Sequence, residues 1–162
     1  MKIQTTRFGE VEVDGNRVIK FPKGLLGFPQ YQDYVLIESA NPENPGEQSN
    51  FWWLQSVDLP ELAFVVTDPT LFVSTYKVPI HAEQMLGLGL SAIEDAQVFV
   101  IVNKREHVLT GNLQGPLVVN VGSRRGEQLV LSDRRFTTRV PLVELRPAVA
   151  KSAAPVRQAV PA

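Results

Sequence analysis

The sequence predicts an all-β protein: one compact, antiparallel, β-barrel-like domain with at most one or two short helices. Two observations lead to this prediction. Short apolar runs rich in β-branched and aromatic residues recur along the chain, and turn-forming glycine, proline, asparagine or aspartate separates them. No crossover helices join these runs, and the 162 residues fit one domain. We place the domain at residues 1–146 and a flexible C-terminal tail at residues 147–162.

The N-terminal region predicts a three-stranded meander. Residues 3–6 and 10–13 alternate in polarity, as half-buried strands do. Asp14-Gly15 is a strong two-residue hairpin signal, and residues 17–21 return as the third strand before Pro22 ends it.

The following loop, KGLLGFP at residues 23–29, is unusually apolar for its glycine and proline content. Two glycines and a proline exclude regular structure, yet Leu25, Leu26 and Phe28 are too apolar for a solvated loop. Two interpretations remain open: the loop plugs one end of the core, or it presents an apolar knob to a partner.

The segment FWWLQSV at residues 51–57 is the most aromatic in the chain. Successive residues of a strand face opposite sides, so Trp52 and Trp53 cannot both face one core. One of them must be covered by another layer, by a loop or by a second molecule.

The remaining elements follow from the same patterns of polarity and turn signals. Further strands are predicted at residues 34–39, 63–67, 72–76, 98–102, 108–110 and 136–140, a mobile loop at 41–47, and one short helix at 81–86 ended by Gly87. Residues 112–131 predict a hairpin whose turn is Gly122-Ser123-Arg124-Arg125-Gly126, with glycines that tolerate positive φ. Asn120 lies between valines of this predicted hairpin. If Asn120 points inward it needs a specific hydrogen-bond partner, and if outward it needs none.

The charges are sorted along the chain. Residues 1–100 hold six basic and thirteen acidic side chains, whereas residues 101–162 hold ten basic and four acidic ones. An acidic face that meets a basic partner is one possible consequence. Direct nucleic-acid binding is disfavoured, because phosphate neutralisation requires a basic surface and the pI is about 6.1.

The sequence offers little for catalysis or cofactor binding. It has no cysteine, and His81 and His107 lie in separate segments without a metal-binding spacing. No nucleophile elbow or phosphate-binding glycine motif is present. We therefore predict a binding protein without catalytic residues, metal or cofactor. No secretory signal or membrane-spanning run is visible, so a cytoplasmic protein is expected.

Several motifs occur in an order that resembles the FliW family. They are FGE at residues 8–10, FPKGLLGF at 21–28, WLQS at 53–56, Ala63-Phe64 with Asp68-Pro69, and NLQGP at 112–116 followed by Asn120 and Gln128. The resemblance covers about residues 1–145. It implies a β-barrel protein that binds newly made flagellin near its C-terminal helical segment. Once flagellin is exported, the freed protein would bind the RNA-binding repressor CsrA, away from its RNA surface, and relieve repression of flagellin translation.

Two site hypotheses follow from this resemblance. An apolar surface for flagellin would use Leu25, Leu26, Phe28 and one of Trp52 or Trp53. Acidic side chains, namely Glu10, Glu12 and Asp14, would contact CsrA. We expect a protein that is monomeric when free. The alternatives are a flagellin chaperone without a CsrA arm, an oligonucleotide-binding barrel, and a small-ligand or hydrolase barrel.

Overall fold

The computed structural model describes residues 1–40 and 48–144. The predicted loop at 41–47 and the predicted tail at 147–162 lie outside the described residues. Within those residues the strands are β1 (Lys2–Thr5), β2 (Gly9–Glu12), β3 (Ile19–Lys20), β4 (Asp33–Ala40), β5 (Gln48–Ser56), β6 (Ala63–Thr67), β7 (Ala96–Arg105), β8 (Val108–Gly111), β9 (Leu117–Asn120), β10 (Arg125–Gln128) and β11 (Val140–Glu144). One α-helix, α1 (Ala82–Leu88), and 3-10 turns at Gly15–Arg17, Pro69–Leu71 and Ile93–Asp95 complete the described part.

The large sheet closes into a ring. Its strand order is β11-β8-β7-β6-β5-β4-β3-β10-β9, and β9 pairs back onto β7. All neighbours are antiparallel except β3 and β10, which meet in parallel through the single pair Lys20 and Arg125. Strands β8 and β11 extend from β7 outside the ring, and β1 and β2 form a separate hairpin. The predicted all-β, barrel-like fold with few helices is confirmed.

The ring encloses an apolar interior. Alternation along each strand points one side chain in two inward, and these inward residues form one buried cluster. Its members come from β3 to β6, β7, β9 and the loops at the ends of the ring: Ile19, Phe21, Leu25, Tyr34, Leu54, Leu62, Val66, Phe99, Leu117 and Val119. Space is tight there, because a Cβ on Gly126 would lie 2.6 Å from the ring of Phe21.

Two further clusters lie outside the ring. One packs Phe51, Trp53 and Val65 of the wall against Val102 and Leu109. The other places residues 73–90, including α1, over β7 and β9 through buried residues such as Tyr76, Leu88 and Val118. The ring is therefore covered by apolar layers on parts of its outer surface as well as being filled inside.

The predicted hairpin of residues 112–131 is confirmed, with β9 and β10 paired from Asn120–Arg125 to Leu117–Gln128. Its turn differs from the prediction: Arg124, with φ of 61°, takes the positive-φ position, and Gly126 is a strand residue. The backbone N–H of Arg124 donates to the carbonyl of Asn120 at 2.8 Å and closes the turn.

Asn120 is buried and has specific partners, and like Val118 it faces the layer outside the ring that contains α1. Its side-chain amide donates to the carbonyl of Leu88 at 2.9 Å, and its side-chain oxygen accepts from the backbone N–H of Gly122 at 2.9 Å. One side chain thus ties the C-terminal end of α1 to the β9–β10 turn.

Three predicted elements are wrong. The segment Asp14-Gly15 makes no hairpin: Asp14 caps the 3-10 turn Gly15–Arg17, and β3 pairs with β4 and β10 instead of β2. Residues 72–76 form turns and not a strand, because Asp68-Pro69 begins a 3-10 turn. The last strand lies at Val140–Glu144 instead of residues 136–140, and it includes Pro141. The helix begins one residue and ends two residues later than predicted, at Ala82–Leu88, and Gly89 instead of Gly87 caps its C-terminal end.

Candidate partner-binding surfaces

The loop at residues 23–29 both plugs the ring and presents a side chain. Leu25 is 2% exposed and joins the interior cluster, whereas Leu26 is 60% exposed. Gly24 and Gly27 have φ of 67° and 88°, which side-chain-bearing residues rarely adopt. The backbone N–H of Phe28 donates to the carbonyl of Leu25 at 2.8 Å, so the loop doubles back and Leu26 lies at its outer tip.

Gln128, which lies 102 residues further along the chain than Leu26, holds the backbone of this tip in place. Its side-chain oxygen accepts from the backbone N–H of Leu26 at 2.8 Å, and its side-chain amide donates to the carbonyl of Gly115 at 3.0 Å. Nearby, the Nζ atom of Lys23 lies 3.3 Å from Glu127. The exposed Leu26 side chain is therefore held on an anchored backbone. The sequence motif contained Gln128, but its spacing gave no indication of this contact.

Phe28 and Trp52 are both half-buried and pack against the interior cluster. The ring of Phe28 meets Phe64 edge-on with centroids 5.7 Å apart, and Trp52 meets Phe99 edge-on at 5.9 Å. Each keeps part of its surface accessible. Within the described residues no aromatic contact joins Phe28 to Trp52.

Trp53 faces the opposite side of β5, as the alternation predicted. It is 5% exposed. The guanidinium of Arg7 lies 4.1 Å from the centre of its ring, and Phe8 packs edge-on at 6.0 Å. The turn between β1 and β2 is thus the loop lid that was one of the predicted ways to cover a tryptophan. Phe8 itself is still partly exposed at the rim of this lid.

The N-terminal hairpin displays the predicted acidic residues. Glu10 and Glu12 lie on the same exposed face of β2, opposite Gln4 and Lys2 of β1. Glu10 lies 3.7 Å from Lys2 and accepts from the side-chain amide of Gln4 at 3.0 Å, while Glu12 lies 3.8 Å from the N-terminal amine of Met1. Exposed pairs of this kind contribute little stability, so both carboxylates can exchange partners.

Asp14 differs from these two glutamates. Its carboxylate accepts from the backbone N–H of Asn16 at 2.9 Å and caps the turn. Asp14 and Glu12 also line a cleft of about 320 Å³ against β4, together with Arg17 and Arg124. Burial and the neighbouring charge of Arg17 lower the pKa of Arg124. The structure thus brings Glu12 and Asp14 into one cleft of mixed charge and leaves Glu10 outside its lining.

The described residues offer no group of three or more His, Cys, Asp or Glu side chains that could hold a metal ion. In the same part of the chain, no helix is both long and apolar enough to cross a membrane. Burial raises the pKa of Tyr34 to about 12, with a smaller contribution from Tyr31, and burial also raises that of Tyr76. These phenols are held in their neutral form.

The fold and these surfaces define a class of small β-barrel whose exposed features are a pinned apolar loop and an acidic hairpin. The family model for the FliW protein matches residues 2–142. The chain belongs to the FliW family.

Individual relatives agree with this assignment. The chain is 37% identical over 145 residues to the flagellar assembly factor FliW of Leptospira biflexa serovar Patoc, covering 88% of this chain and 91% of the relative. It is 39% identical over 146 residues to the protein of the same name from Magnetococcus marinus, covering 88% and 85%. A crystal structure of the flagellar assembly factor FliW superposes with a TM-score of 0.76 at 29% identity, covering 88% of this chain and 97% of that one.

Proposed function

We propose that this protein is a flagellar assembly factor that binds flagellin near its C-terminal segment in the cytoplasm. After flagellin leaves the cell, the freed protein binds the translational repressor CsrA and antagonises it, which couples flagellin synthesis to export. Because the two partners exclude each other, free flagellin withdraws the antagonist by mass action. The role is one of binding, without catalysis, as the names of the relatives as assembly factors imply.

The observation that carries the proposal is the exposed Leu26 on its anchored loop. An amphipathic helical segment binds by laying its apolar side against apolar groups of the partner. A leucine whose backbone is already held loses less conformational entropy on binding than one in an unanchored loop. Phe28 and Trp52 add partly exposed rings to this surface. Leu25 and Trp53 are buried, so they support it through packing and do not contact the partner.

Substitution of the loop tip tests the flagellin surface. Leu26→Asp places a charge in the contact, and we expect flagellin affinity to fall at least about tenfold. Leu71→Asp is the matched control, since Leu71 is similarly exposed at 54% and lies outside this loop. Trp52→Ala should weaken binding by a smaller factor. Affinities measured by calorimetry on folded variants decide the outcome: unchanged binding by Leu26→Asp rejects this surface.

The CsrA contact is assigned to the acidic hairpin. We expect Glu12→Lys to weaken CsrA binding about tenfold and added salt to weaken wild-type binding, because exposed charges steer and hold a basic partner. Glu94→Lys makes the same charge change at another exposed position and should leave affinity unaltered. Equal losses in both variants would mean that net charge alone is responsible.

A sizing column separates the remaining alternatives. The free protein should elute as a monomer and co-elute with flagellin or with CsrA, but not with both at once. Co-elution with flagellin alone indicates a chaperone without a CsrA arm. Tight retention of RNA by the protein alone in a filter assay indicates an oligonucleotide-binding barrel.

A further inference from the structure

Strand β7 continues beyond the closed ring. Its inward side chains are apolar within the ring, where Phe99 is buried and Ile101 half-buried, and they become polar at Asn103 and Arg105. From Val102 onward β7 pairs with β8, and β8 pairs with β11. The result is a three-stranded shelf that projects from the ring.

The two faces of this shelf differ. One face packs Val102, Leu109 and Val143 into the cluster that contains Trp53. The other is a concave surface of about 430 Å³, lined by Ile101, Asn103, Lys104, Arg105, Thr110, Asn112, Thr138 and Arg139. We call this second face the basic cleft. Its lining includes the cationic residues Lys104, Arg105 and Arg139 and no acidic residue. By alternation along β7, Arg105 lies on the same side as Asn103, whereas Lys104 lies on the side of Val102.

The cations of the basic cleft are available to a ligand. Lys104, Arg105 and Arg139 make no ion pair with another residue in the ranges 1–40 and 48–144. All three are exposed. Cations that gather around one concavity without acidic partners attract anionic groups and raise their local concentration.

We propose that the basic cleft binds an extended acidic segment of a protein partner. A guanidinium group such as that of Arg105 or Arg139 pairs with a carboxylate through two parallel hydrogen bonds. The neighbouring Asn103 and Thr138 supply amide and hydroxyl groups that can hydrogen-bond a peptide backbone. This surface shares no lining residue with the 23–29 loop or the N-terminal hairpin, so the inference does not depend on the function proposed above.

The chemistry of the cleft favours a peptide over a nucleic acid. Proteins that hold single strands stack the bases on aromatic side chains, and no aromatic residue lines this cleft. Three cations also neutralise few phosphates, in a protein whose net charge is −1. An extended chain with a short run of glutamate or aspartate can pair with these few cations and needs no aromatic platform.

The test uses the full chain and three fluorescent probes. They are a ten-residue peptide with five glutamates, the same peptide with glutamine in place of glutamate, and a fifteen-residue thymidine oligonucleotide. Anisotropy titrations at low salt should show binding of the glutamate peptide and at least about tenfold weaker binding of the glutamine peptide.

Paired variants assign the binding to the cleft. The double variant Arg105→Gln with Arg139→Gln should bind the glutamate peptide about tenfold or more weakly than the wild type. Lys77→Gln with Arg134→Gln removes the same charge at exposed positions outside the lining and should change affinity by less than about twofold. Thermal unfolding first establishes that both double variants are folded.

The proposal is overturned by any of three results. These are no binding of the glutamate peptide by the wild type, equal losses in the two double variants, or tighter binding of the oligonucleotide than of the peptide with the same dependence on Arg105 and Arg139.

Discussion

The interior of the ring and the layer wrapped outside it are stabilised in different ways, and two buried tyrosines illustrate the difference. Tyr34, inside the ring, is fully buried among apolar side chains and its hydroxyl has no hydrogen-bond partner in the described structure. Tyr76, in the outer layer, donates its hydroxyl to the carbonyl of Leu113 at 2.6 Å. The interior is held by packing, whereas the outer layer is also positioned by single polar contacts.

This contrast predicts how substitutions will act. In the interior the cost should follow the volume removed, because close-packed neighbours relax only partly. In the outer layer it should follow the hydrogen bond that is lost and the polar group left unpaired. The substitutions below test this contrast.

Truncation of Phe21 should have the largest effect. Phe21 is fully buried beneath Gly126, and Phe21→Ala is expected to lower the free energy of unfolding by about 3–5 kcal/mol. Gly126→Ala alone should also destabilise, since its Cβ would contact the ring at 2.6 Å. Denaturant unfolding of both single variants and the double variant should give a smaller cost for Gly126→Ala when Phe21 is already alanine. Simple additivity would contradict the close contact.

Removal of the Asn120 side chain should have the second largest effect. Asn120→Ala leaves the carbonyl of Leu88 and the N–H of Gly122 without their partner, at an expected cost of about 2–3 kcal/mol. Hydrogen exchange should accelerate first in α1, since its C-terminal end is held there. Loss of protection spread evenly over the ring would show that Asn120 acts on the whole fold.

Loss of the Tyr76 hydroxyl should cost less. Tyr76→Phe keeps the ring and its edge-on contact with Phe136 but abolishes the hydrogen bond to Leu113, for an expected loss of about 1 kcal/mol in urea unfolding. If Tyr76→Phe lowered the free energy of unfolding less than Tyr34→Phe does, the outer layer would not depend on its hydrogen bond more than the interior does.

The smallest effect is expected for Tyr34→Phe at neutral pH, which should be neutral or slightly stabilising because the hydroxyl is unpaired. Its effect should appear at alkaline pH. Burial raises the pKa of Tyr34 from 10.0 to about 12, so the fold favours the protonated phenol. That contribution is present below pH 10 and is lost as the pH rises through about 12. Tyr34→Phe should therefore lose less stability than the wild type between these pH values.

Much of the ring could be predicted from sequence because its strands are short apolar runs bounded by turn-forming residues. These runs correctly located β4, β6, β7 and the β9–β10 hairpin, and alternation correctly placed Trp52 and Trp53 on opposite sides of β5. The two-residue strand β3 lies within the strand predicted at residues 17–21, but its partners were predicted wrongly. Its partners are β4 and the distant β10, so a local turn signal at Asp14-Gly15 predicted the wrong neighbour.

The candidate surfaces were predictable in composition but not in geometry. The apolar character of Leu25, Leu26 and Phe28 was evident, but the orientation of each was not. Leu26 faces outward because its backbone is bound to Gln128, which lies 102 residues further along the chain. No periodicity within a seven-residue loop encodes a contact at that separation.

The ring is joined between β3 and β10 by one residue pair, Lys20 with Arg125, and by the N–H of Lys20 donating to the carbonyl of Arg124 at 2.8 Å. Every other junction of the ring has at least two residue pairs. When the native protein opens locally, the junction between β3 and β10 should separate before any other junction of the ring. The barrel can therefore open between β3 and β10 while its remaining strands stay paired in register.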